Sequence, residues 1–157
     1  MGLEWIEALA AWPGGALRRS AIAYPLANAA HILAIGLLLG AIATLDMRLL
    51  GAFRAVPLAH LAGPLSRVAG WGLALALATG LLLFSVSPGA YLGNPAFQIK
   101  LALVLAGTLN ALALHRGAPW RRALAGGHAG AALRVAALLS LLLWSAAVLA
   151  GRWIGFL

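Results

Sequence analysis

The chain has 157 residues, 64% hydrophobic and 9% charged, with a formal net charge of +8. A water-soluble domain of this size needs far more charged surface, so the composition describes an integral membrane protein, and the length suits one membrane domain over 1–157. The absence of cysteine excludes disulfides, thiolate-held iron–sulfur clusters, zinc fingers and covalently attached c-type haem.

At the start, Leu3, Ile6, Leu9 and Ala10 recur at helical spacing, while Glu4 and Glu7 share another face. With Trp5 and Trp12 this predicts a short amphipathic helix over about 3–12, lying in the membrane interface and ended by Trp12-Pro13-Gly14-Gly15. The two glutamates stand where the basic region of a cleavable leader would be. Four apolar runs follow, at about 22–46, 66–86, 96–115 and 132–154. Each approaches the roughly 20 residues needed to cross a bilayer, and Ala and Leu dominate them without alternation. The second stops at Ser87-Pro88-Gly89, and the third opens after Gly93-Asn94-Pro95. The expected fold is an all-α, up-down-up-down four-helix membrane bundle preceded by the interfacial helix.

The connections between spans one and two and between three and four hold Arg48, Arg54, Arg67, Arg116, Arg121, Arg122 and Arg134. The other side has Arg18, Arg19, Lys100 and Arg152. The excess puts the loops in the cytoplasm and both termini in the periplasm of a bacterial inner membrane. These cations read as topology signals and phospholipid contacts, not as a nucleic-acid surface. Small residues at four-residue steps, Gly36 and Gly40 in span one and Gly72, Ala76 and Gly80 in span two, predict close helix packing. Tyr24, Phe84, Tyr91, Phe97 and Trp153 form an aromatic belt at the terminal side.

Ionisable groups inside a span are costly and point to function. Tyr24, Asn28, His31, Ile35, Ile42 and Asp46 share a sector of span one, so this stripe should face the bundle interior. It reads either as interhelical glue or as a ligand, cofactor or proton site. Lys100 enters its span in the same half of the membrane as His31, where it either joins that site or snorkels to the headgroups. Toward the other side, Asp46, Arg48, Arg67 and Asn110 suggest a structural polar cluster. There Asp46, the one acid beyond residue 7, pairs with an arginine. His60 and His115 are a candidate second metal or haem site on that side, or solvated loop histidines; His128 reads as a loop residue. No HExxH, GxSxG or phosphate-binding loop is present.

From Tyr24 to Arg116 the chain resembles an uncharacterised bacterial family of small four-helix membrane proteins. The resemblance is carried by His31 with Gly40, by Leu45-Asp46-Met47-Arg48-Leu49-Leu50-Gly51 and by Thr79-Gly80-Leu81-Leu82-Leu83-Phe84. Asn94-Pro95-Ala96-Phe97-Gln98-Ile99-Lys100, Asn110 and His115-Arg116 complete it. It implies a fold and no activity. More distantly the layout is similar to the membrane domain of copper-resistance D proteins, through Lys100 and Asn110 to Arg116. It is also similar to HemJ-type protoporphyrinogen oxidases, through His31, Arg48 and Lys100. The latter resemblance implies b-type haem held with His31 and Lys100, whereas Asp46 has no counterpart in it. Three functions are therefore expected. The first is haem b binding for electron transfer or porphyrin-linked redox chemistry, with His31 as ligand and Lys100, Asn28 and Tyr24 around it. The second is transport or handling of copper or another ion, with His31, Asn28 and Asp46 lining a path, although two methionines and no cysteine make a poor Cu(I) site. The third is an accessory subunit. The partners are membrane lipids and either a redox partner or a larger membrane complex.

Overall fold

A computed structural model describes residues Glu4–Leu157; Leu3, at the start of the expected interfacial helix, lies outside the described residues. Among the described residues all regular structure is helical, with α1 (Glu4–Leu9), α2 (Gly15–Arg19), α3 (Ala23–Leu50), α4 (Leu58–Ser85), α5 (Pro88–Gly93), α6 (Pro95–Arg116), α7 (Ala118–Leu124) and α8 (Ala131–Trp153). Four of these, α3, α4, α6 and α8, are long and apolar enough to cross a membrane. The protein is thus an all-α, multi-pass membrane bundle.

The helix ends follow local chemistry. Gly51 closes α3 in the left-handed region, φ 112°, and its N–H bonds the carbonyls of Met47 and Arg48. This is the glycine-dependent way to satisfy terminal carbonyls. Asn94 caps α6, accepting from the N–H groups of Ala96 and Phe97, with Pro95 in the first turn. The Asn94 Nδ2 also donates to the Ile154 carbonyl at 3.2 Å, tying the start of α6 to the end of α8. The second span begins at Leu58, eight residues before the expected start near 66. His60, Gly63 and Pro64 read locally as a loop, and Pro64 does remove one helical hydrogen bond. Burial of Leu58 and Ala62 in the core holds that first stretch in the helix.

The amphipathic segment does not simply stop at Trp12. The backbone breaks there, at φ −151° and ψ 127°, then winds on into α2. Trp5 and Trp12 are exposed. Gly14 is buried against the end of α4, where any Cβ would collide with the Ser85 carbonyl.

In the bundle, α3 packs along α4, α6 packs along α8, and α3 against α8 joins the two pairs. The α4 and α6 helices meet through side chains at their ends: Ser66 with His115 on the far side and Phe84 with Phe97 on the terminal side. The buried apolar core lies on the far side, where Leu45, Leu49, Leu58, Ala62, Leu114, Leu133 and Ala137 pack beneath Trp120 and Ala123 of α7. The expected small-residue packing holds for span two and fails for span one. A Cβ at Gly72 would lie 2.7 Å from the Leu38 backbone nitrogen, whereas Gly36 and Gly40 have open space before them. The α3 seam toward α4 is Ala34, Leu38, Ala41 and Leu45, so the glycine pair falls on the outward face.

These contacts predict opposite outcomes for two glycines. Gly72→Leu forces α3 and α4 apart and costs about 1–3 kcal/mol, lowering the thermal midpoint in detergent. Gly36→Ala leaves it unchanged or slightly raised, because it adds no clash and removes a flexible residue from a helix.

Candidate functional site

His31 projects from α3 into the α3–α4 seam, and its Nδ1 lies 2.8 Å from the Thr79 hydroxyl. The direction of that bond follows from the partners. Thr79 Oγ1 donates its one proton to the Leu75 carbonyl at 2.6 Å, the next carbonyl, Ala76, standing 3.4 Å away. The hydroxyl therefore accepts from His31, and the imidazole carries its proton on Nδ1. In the neutral ring Nε2 keeps its lone pair, the arrangement by which a second group orients a ligating histidine. Gly80 makes room for the ring: a Cβ there would lie 3.1 Å from His31 Cε1.

Lys100 stands across the bundle on α6. Its side chain lies along α8 over Gly151, where a Cβ would be 3.5 Å from Cδ, Cε and Nζ. The ammonium is near enough to His31 to act on it electrostatically. Tyr24, one end of the expected stripe, is 40% exposed and faces Tyr91. Tyr91 packs with Phe84 and Phe97, ring centroids 6.0 and 5.3 Å away. Burial in this cluster, then the nearby Tyr24, pushes the Tyr91 phenol above its ordinary range. Asn28 is exposed. Following the antiparallel pairing up α3 and α8 from Asp46 and Ser140, α8 ends at Trp153 before reaching the level of Asn28. A cleft of about 310 Å³ between Arg18, Ser20, Tyr24 and Val86 opens on the same side, and His31 is not among its lining residues.

The far-side cluster is rearranged relative to expectation. Asp46 is buried, with Ser140 of α8 as its hydrogen-bonding neighbour and no arginine beside it. Arg48 Nε instead donates to the Val56 carbonyl at 2.9 Å, and Arg67 Nε to the Gly63 carbonyl at 3.4 Å. Arg48 stays at the end of α3, where its long stem reaches a loop carbonyl, and Arg67 folds back along its own helix, while Asp46 sits a full turn inside α3. Asn110 turns to α8 and donates to the Ala136 carbonyl at 3.0 Å.

His115 and His60 are not brought together. His115 Nδ1 donates to the Ala111 carbonyl at 2.7 Å, so its Nε2 accepts from Ser66 at 3.0 Å, and its ring packs on Trp120. Both nitrogens are engaged, and His60 and His128 are exposed. Among the described residues no group of three or more His, Asp or Glu side chains converges. Thr79, Gly80, Ser66, Ser140 and Trp144 are residues to which the sequence assigned no part in a site, because each gains its role from a helix distant in the chain.

Asn94→Ala removes both the cap of α6 and the tie to α8. The expected loss is about 1–2 kcal/mol of stability, read as a lower thermal midpoint, with Gln98→Ala, an exposed neighbour, as the near-neutral comparison.

No curated protein and no solved structure matches the chain. Residues 4–157 match one family, described as a family of unknown function (DUF6644), and the chain belongs to it.

Proposed function

We propose that this protein binds a b-type haem in the terminal half of the bundle, with His31 as an iron ligand, in the service of electron transfer or a porphyrin-linked oxidation. The observation that carries the reading is the His31–Thr79 hydrogen bond, since it orients an imidazole within a membrane span. Imidazole is a standard axial ligand of haem iron, and the bound group would supply one-electron redox chemistry. The chain's own residues do the positioning: Thr79 holds the ring, Gly80 makes room for it, and Lys100 supplies a cation to a propionate or a second nitrogen donor. The donor set favours haem over a bare copper or other ion site, because a single imidazole without converging His, Asp or Glu is a poor ion cage. The HemJ-type resemblance, through His31, Arg48 and Lys100, points the same way. The location that fits is a bacterial inner membrane with the arginine-rich loops cytoplasmic and the termini periplasmic, reached by a redox partner from the terminal side.

Protein purified from cells supplied with a haem precursor shows a Soret band on this reading, and His31→Ala abolishes it. Thr79→Val keeps the ligand, loses its orienting partner and weakens haem affinity about ten- to hundredfold. A folded protein that stays colourless under haem loading, or a band unchanged in His31→Ala, overturns the haem reading and leaves that of an accessory subunit. Orientation is tested on a chain with no native cysteine. In intact cells a membrane-impermeant maleimide labels Gly89→Cys, while His128→Cys reacts only after the membrane is opened. The reverse pattern contradicts the proposed topology.

A further inference from the structure

Two side-chain polar atoms among the described residues are buried without a hydrogen-bond partner, Asp46 Oδ2 and Trp144 Nε1. Both residues are 4% exposed, and both belong to one three-helix junction. Ser140 bonds the Asp46 carboxyl and lies one turn before Trp144 on the buried face of α8. A long side chain on a helix leans toward the preceding turn, which carries the indole toward Ser140. The third wall is α6. Gly107 receives the indole, since a Cβ there would lie 3.1 Å from Trp144 Nε1, and Asn110 bonds the Ala136 carbonyl one turn before Ser140.

The two orphaned atoms are chemically complementary. The indole nitrogen can only donate, and a carboxylate oxygen can only accept. Hydrocarbon offers neither of them a partner, so the protein must supply one. A metal cation fits badly, because the indole N–H presents its positive end to the junction. A molecule that accepts from Trp144 and donates to Asp46 satisfies both, and water is the smallest that does.

The geometry points to a buried water-binding site at the α3–α6–α8 junction, in which one water accepts from Trp144 Nε1 and donates to Asp46 Oδ2. Asn110 of α6, whose Nδ2 bonds the Ala136 carbonyl, offers its Oδ1 as a further acceptor. Buried waters usually make about three hydrogen bonds, and these three groups provide them. The site is separate from His31, so it stands or falls independently of haem binding.

Indole-¹⁵N-labelled protein in detergent micelles tests it, with the Trp144 N–H signal assigned by its loss in Trp144→Phe. The expected result is a cross-relaxation peak between that N–H and a long-lived water in the wild type. The peak persists in Asp46→Asn, which keeps an acceptor oxygen, and is lost in Asp46→Leu. Absence of the peak from the wild type overturns the proposal, as does a peak unchanged in Asp46→Leu. An indole signal showing a hydrogen-bonded proton with no water contact also overturns it, because Trp144 is then bonded directly to protein. If Asp46→Leu does not fold, the wild-type and Asp46→Asn measurements decide the matter alone.

Discussion

The backbones of α3 and α4 touch at Gly72, where a single added carbon would reach the nitrogen of Leu38. That contact fixes the separation and register of the two helices, and the register brings His31 opposite Thr79 and Gly80 about two turns further along. A larger residue at position 72 would therefore do more than loosen packing. It would move the hydroxyl that selects the His31 tautomer, and with it the nitrogen offered to a ligand. The candidate site depends on a glycine that never touches it.

Around this seam the bundle divides by depth. The far half holds the apolar core, roofed by Trp120, and anchors Arg48 and Arg67 on backbone carbonyls. The terminal half holds His31, Lys100 and the Phe84–Tyr91–Phe97 cluster, with the α1–α2 segment docked against the end of α4. Within hydrocarbon each polar group must find its partner inside the protein, since lipid cannot provide one. The structure meets this demand only in part, giving His31 to α4 and one side of the Asp46 carboxyl to α8, so polar residues of one helix stitch two different interfaces.

The four spans were legible because hydrophobic length is a strong signal, and Asn94-Pro95 and Gly51 marked helix ends through capping chemistry. The start of α4 was not legible, because Pro64 and Gly63 resemble a loop until Leu58 and Ala62 are seen in the core. That His31 and Lys100 both enter the terminal half of their spans could be counted from helical rise alone. The expected Asp46–arginine pair could not survive, since sequence shows which charges are near in number but not that Ser140 faces the carboxyl from α8. Gly36 and Gly40 matched a packing motif and still point outward, because spacing defines a face without saying what lies opposite.

The tautomer of His31 is the point on which the functional account turns. Side-chain ¹⁵N NMR of histidine-labelled protein in lipid or detergent reads it directly, with His31 assigned by its loss in His31→Ala. The account predicts a proton on Nδ1 and an unprotonated Nε2 in the neutral ring, the reverse pattern appearing when Thr79 is replaced by valine. A proton on Nε2 in the wild type would contradict it, since the imidazole would then have no free donor nitrogen for a ligand.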